Sequence, residues 1–71
     1  MEFNFEYIDL KPYKGYNVQK AWELIYTKTH YGEYGYKRHG KPRYIVADEE
    51  GYIGEEYYSL SEAHRFIDSI I

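Results

Sequence analysis

The absence of cysteine is what most restricts the folds open to this sequence. A chain of 71 residues is long enough for one domain with one small core, because at this length only roughly 60% of the unfolded surface is buried on folding. Without thiols, neither a disulfide nor a thiolate zinc site can add stability, and packing has to supply it. The composition answers with aromatics: 11 tyrosines, 3 phenylalanines and 1 tryptophan. Each ring removes a large apolar area from water, and tyrosine keeps a hydroxyl for solvent. Self-association is a second route to stability, since it hides an apolar face that a small monomer leaves open. A homodimer is therefore among the states this composition allows. A cysteine-free chain also suits a reducing cytoplasm.

The opening MEFNFEYIDL alternates acidic and apolar residues where a signal peptide would have a basic stretch and then an apolar run. Nowhere do the roughly 18 successive apolar residues of a membrane span occur. The expectation is a soluble, cytoplasmic protein with no membrane partner.

Within EFNFEYI, Phe3, Phe5 and Tyr7 fall on one face and Glu2, Asn4 and Glu6 on the other, the period of a half-buried strand. Pro12 and Gly15 break that pattern in DLKPYKGYN. The segment YNVQKAWELIYTK carries two patterns. Val18, Ala21, Trp22 and Ile25 fit a helical stripe, while Tyr16, Val18, Trp22, Leu24 and Tyr26 fit a strand face interrupted by Lys20. Its aromatic and β-branched content assigns it to a strand, and the helical alternative would give a split sheet with two helices. RYIVADEEGYIGEEYY reads as a hairpin with Asp48, Glu49, Glu50 and Gly51 at the reversal, where Gly51 can adopt a positive φ. In YYSLSEAHRFIDSII, Ser59 and Glu62 have the spacing of a capping box, and Leu60, Ala63, Phe66 or Ile67, and Ile70 then recur with helical period. The predicted fold is α+β: a small antiparallel sheet of three to four strands with one C-terminal helix packed across one face, in a single compact domain spanning 1–71.

Charge is unevenly distributed. Residues 1–27 carry a net −1, residues 28–43 a net +4, and residues 44–71 a net −6. The basic block coincides with HYGEYGYKRHGKPR, His30 to Arg43, in which Tyr31, Tyr34 and Tyr36 stand beside Lys37, Arg38, Lys41 and Arg43. Cations neutralise phosphates and tyrosine rings stack on unpaired bases, so the composition is that of a nucleic-acid contact. Tyrosine and arginine also anchor protein interfaces. If strands two and three run on into this segment, with GEYG as the reversal, it becomes a projecting two-stranded ribbon. The structural alternative is a polar hairpin tip kept soluble by lysines and glycines.

Other chemistries lack parts. There is no Gly-x-Ser-x-Gly elbow, and Ser59 and Ser61 sit at the helix start. His64 has no partner at a useful spacing and reads as a boundary histidine. His30, His39 and His64 lack metal-ligand spacing. Asp48, Glu49, Glu50, Glu55 and Glu56 lack the frame of a calcium loop. No phosphate-binding loop is present. These gaps argue against an enzyme, a metal site or a cofactor.

The sequence thus points to a non-enzymatic interaction module that binds and regulates or inhibits a protein partner. Tyr31, Tyr34, Tyr36, Lys37 and Arg38 are the first contact candidates, with Lys41 and Arg43 beside them. The acidic residues 48–56 form a second patch, able to present carboxylates where a partner expects phosphates. The alternative is a nucleic-acid-binding protein using the basic segment, against which stand the net charge of −3 and the sequence pI near 5.5. In size and composition the chain resembles the very small accessory proteins of bacteriophages and mobile elements, although no motif assigns it to a family.

Overall fold

The computed structural model describes residues 3–71. Four strands, β1 (Phe3–Asp9), β2 (Asn17–Lys28), β3 (Tyr34–Asp48) and β4 (Gly51–Tyr57), precede one helix, α1 (Leu60–Ile70). The strands form an antiparallel meander in the order β1-β2-β3-β4, and α1 packs against β3 and β4. This is the α+β arrangement expected, and the segment with two patterns is a strand throughout.

Each reversal has a local cause. Between β1 and β2, Tyr13 and Tyr16 exchange backbone hydrogen bonds of 2.9 Å around Lys14 and Gly15, both at positive φ (48° and 87°). Two left-handed central residues make the tight turn whose twist matches that of its strands. Between β2 and β3 the chain reverses over Thr29–Glu33, where the Gly32 amide donates to the Thr29 carbonyl at 3.1 Å and Gly32 takes φ 83°. The basic segment is therefore strand from Tyr34 onward, and the reversal lies upstream of the GEYG expected. Between β3 and β4, the Glu50 amide donates to Asp48 Oδ1 at 2.8 Å, and Gly51 takes φ 128°.

The core lies at one end of the sheet. Val18, Val46, Ala63 and Ile67 are fully buried, and Leu10, Tyr13, Tyr16, Tyr44, Ile53, Tyr57 and Phe66 pack around them. Val18 opposes Val46, which opposes Ile53, so one rung of the sheet receives the helix. Ser59 caps α1 by accepting from the Glu62 amide at 3.2 Å. Glu62 reaches back to the amide of Tyr58 at 3.1 Å, one residue beyond the partner a capping box would give it. Of the expected apolar stripe, Ala63 and Ile67 are buried and Phe66 is half-buried, while Leu60 and Ile70 stay exposed.

Two irregularities shape the sheet. Between the rungs Ala21–Arg43 and Glu23–His39, β3 carries two more residues than β2, forming a bulge at Gly40–Pro42 in which Gly40 has φ 72°. Between Tyr44–Tyr57 and Val46–Ile53, β4 carries the extra residues. Gly54 lies in this second bulge at φ 73°, directly under the Phe66 ring.

The aromatic face of β1 is not the one that the helix covers. Phe5 and Tyr7 point away from α1 and are exposed; Glu2 and the side chain of Phe3 lie outside the described residues. The reason is positional, because α1 sits over β3 and β4 and β1 is the edge farthest from it. The loop before β2 is instead tied to the helix. Tyr13 stacks on His64 at 3.8 Å and donates to Asp68 at 3.1 Å, while Lys14 Nζ lies 2.6 Å from Asp68 Oδ1. His64 is thus a boundary residue that clamps a turn.

Two outcomes are expected. A Cβ at Gly54 would lie 2.7 Å from Phe66 Cζ and 2.9 Å from the Tyr57 hydroxyl. Gly54→Ala should therefore cost about 2–4 kcal/mol in urea denaturation, from combined overpacking and left-handed strain. The hydrogen bond from Lys14 holds the Asp68 carboxyl below its ordinary value of 3.8, and the same bond raises Lys14 above 10.5. The carboxylate's contribution is present above 3.8 and is lost as pH falls through its lowered value; that of the ammonium is present below 10.5 and is lost as pH rises through its raised value. The difference in melting temperature between wild type and Asp68→Asn should accordingly be largest at intermediate pH and shrink at both extremes.

Candidate functional site: the tyrosine face of the β2–β3 ribbon

Beyond the core the β2–β3 pair continues as a ladder to Lys28–Tyr34, while β1 pairs only as far as Ile25 and β4 only with residues 44–48 of β3. The molecule measures 50 Å along its long axis and 20–22 Å across. Period-two alternation then sorts the side chains onto two faces.

On the face shared with the helix, Tyr26 opposes Tyr36 and Lys28 opposes Tyr34. The ring centroids of Tyr26 lie 5.6 Å from Tyr34, stacked, and 5.2 Å from Tyr36, tilted. Toward the core the row continues with Trp22, whose ring lies 5.0 Å from the Arg38 guanidinium and 5.4 Å from Lys20 Nζ. Arg38 Nε donates to Glu6 Oε1 at 2.8 Å, so the cation over the indole is held by a carboxylate from the neighbouring strand. The Trp22 Nε1–H is buried with no hydrogen-bond partner, which costs about 1–3 kcal/mol and is offset by the ring's packing against two cations. Tyr26, Tyr34 and Tyr36 keep 55%, 63% and 53% of their surface accessible, and Tyr31 at the tip keeps 92%.

The structure divides the residues singled out from the sequence. Tyr34, Tyr36 and Arg38 share the helix-side face, and Tyr31 stands at the tip. Lys37 opposes Ile25 and so lies on the other face, where Lys41 and Arg43 line a groove. Arg43 is paired with Glu56 at 3.5 Å and lies 5.8 Å from the Tyr58 ring. Neither Lys37 nor Lys41 makes an ion pair among the described residues. Trp22, Tyr26 and Lys20 belong to the tyrosine face although segment 30–43 did not include them. Their signal was the alternation along β2, which becomes informative only once its register against β3 is fixed.

The acidic residues do not form one site. Asp48 closes the β3–β4 turn, Glu49 and Glu50 stand exposed at its tip, and Glu55 and Glu56 lie at the far end of β4. Among the described residues no group of three or more His, Asp or Glu side chains is placed to hold a metal ion, and no helix is long and apolar enough to cross a membrane. In comparisons with known proteins, the chain matches no family model, no curated protein and no solved structure.

A surface of exposed rings contributes little to the fold that carries it. Replacing Tyr26, Tyr34 or Tyr36 with alanine should change unfolding free energy by no more than about 1 kcal/mol each, the scale of a cross-strand pair. Ile67→Ala in the core should cost about 2–5 kcal/mol. Urea titrations of the four variants measure the contrast.

Proposed function

We propose that this chain is a small non-enzymatic interaction module, working in the reducing cytoplasm, that binds and regulates or inhibits a protein partner through the tyrosine face of the β2–β3 ribbon. The observation that carries this reading is the alignment of Trp22, Tyr26, Tyr34 and Tyr36 on one face of a rigid two-stranded ladder. Aromatic side chains with few rotamers, held in place before contact, lose little entropy on association. Tyrosine, tryptophan and arginine are the residues that most often carry the energy of protein interfaces.

Charge on that face favours a protein over a phosphate backbone. A nucleic-acid strand is held by a row of free cations, each releasing a counterion. Here Arg38 is paired with Glu6 and Lys20 lies over Trp22 and Tyr44, Lys28 opposite Tyr34 is a single cation and not a row, and Lys37 and Lys41 face the other way. Glu49 and Glu50, exposed at the opposite hairpin, supply a second contact of opposite sign.

The test compares wild type with a Tyr34→Ala/Tyr36→Ala variant and an Arg38→Glu variant in crosslinking and affinity capture from the native host, beside retention on single-stranded DNA and RNA at low salt. The expected result is a protein partner lost in both variants and no retention on either nucleic acid. The reading is overturned by retention that weakens log-linearly with salt and is abolished by Lys37→Glu/Arg38→Glu, or by an unchanged partner set in the variants.

A further inference from the structure

The face of the sheet turned away from the helix carries a second surface, independent of the ribbon reading. Phe5 and Tyr7 from β1, Ala21 from β2, Ile45 from β3 and Tyr52 from β4 line a groove of about 420 Å3. Phe5, Tyr7 and Tyr52 leave 49%, 54% and 68% of their surface accessible. A sheet with one face in water normally makes that face polar. Here the open face holds Phe5 and Tyr7 of β1, and α1 packs on the other side.

The charges on this face are ordered by strand. Glu23 stands on β2. On β3 stand His39, which opposes Glu23, and Lys37, which opposes Ile25, and Lys41 and Arg43 line the same groove as Glu23. The two central strands therefore set one acidic side chain beside a column of basic ones, and Glu55 and Glu56 of β4 line the same groove at its edge. A two-fold axis parallel to the strands, placed above the face, exchanges β2 with β3. It lays Glu23 of each copy over the Lys41 and His39 region of the other, at the same height, because Glu23 and His39 occupy one rung. The same operation sets β1 of each copy over β4 of the other, with Tyr7, on the Ala21–Arg43 rung, over the Glu56–Tyr57 end of β4, while Tyr52, on the Asn17–Ala47 rung, stays at a different height. Sheets packed face to face with strands aligned stand about 10 Å apart and interdigitate such side chains. An isologous contact of this kind satisfies both charge sets at once.

We propose that the groove face is a homodimer interface, in which two sheets pack about a two-fold axis parallel to their strands, covering Phe5 and Tyr7 and held by reciprocal pairing of Glu23 with Lys41. Arg43 is already matched to Glu56 within the chain, which leaves Lys41 as the groove cation with no ion pair among the described residues. Rotation about an axis along the strands keeps both ribbons pointing the same way, so the dimer presents two tyrosine faces, one on each of its opposite outer surfaces.

Sedimentation equilibrium on the full chain tests this. Wild type should sediment at twice the chain mass at high concentration, and Tyr7→Asp should sediment as one chain. Glu23→Lys and Lys41→Glu should each weaken association by at least about tenfold, the effect of setting like charges against each other at an interface. The Glu23→Lys/Lys41→Glu double variant should recover it. Tyr34→Ala/Tyr36→Ala should leave the mass unchanged, which separates this interface from the partner site. Far-UV circular dichroism confirms the fold of each variant, and the charge exchange stands if Tyr7→Asp unfolds. A wild type that remains one chain at every concentration overturns the proposal. So does a dimer indifferent to both charge reversals, or one that the double variant fails to restore.

Discussion

A mismatch of length governs this molecule. An 11-residue helix spans about 16 Å, whereas the 15 residues of β3 extend toward about 50 Å. One helix can bury one end of such a sheet and no more. The fully buried side chains all lie where α1 meets the Val18–Val46–Ile53 rung, and the rest of the sheet is held by its own ladder. Everything distinctive about the surface follows from this, because both faces of the uncovered part remain available. The clamp of Tyr13, Lys14, His64 and Asp68 serves the covered end, fastening the first turn to the helix and closing the core on the side away from β4.

The electrostatics follow the same division. The basic block of the sequence becomes the ribbon and the acidic block becomes the β3–β4 hairpin and the helix, at opposite ends of the long axis. Local pairing then tempers the contrast. Glu6 neutralises Arg38, Glu56 neutralises Arg43, and Asp68 neutralises Lys14. Each of these ion pairs is exposed to solvent and contributes little to stability on its own. Their larger effect is on the surface, since they decide which cations remain without an ion pair among the described residues and on which face.

Much of the fold was legible in the sequence because local chemistry and tertiary structure agree. The alternation of β1, the β-branched and aromatic content of β2, the Ser59–Glu62 cap and the turn residues Gly15 and Gly51 all act through near neighbours. What was not legible depended on choices made at a distance. Alternation gives a strand two faces but does not say which one a helix will cover, so the aromatic side of β1 looked like core and lies in the open. Glycines and cations left residues 34–43 open between a projecting ribbon and a polar hairpin tip, and they form an extended strand. The site was half readable for a related reason. A reversal over Gly32–Gly35 would have set Tyr26 opposite Lys41, whereas the reversal over Thr29–Glu33 sets it opposite Tyr36. A shift by an odd number of residues moves every side chain to the other face. Trp22 and Tyr26 could not be joined to Tyr34 and Tyr36 until that register was known.

The bulge at Gly40–Pro42 has a geometric consequence. Extra residues on one strand sharpen the local right-handed coil and bend the strand that carries them. The bulge lies just beyond the last β3–β4 rung, where β1 still pairs with β2 as far as Ile25 and the helix-covered body gives way to the ribbon. It works as a fixed elbow, setting the angle at which the projecting arm leaves the trunk. Substitutions there would re-aim the arm's aromatic side without touching a single residue of the core, so the direction in which that side faces can change while the architecture that supports it stays the same.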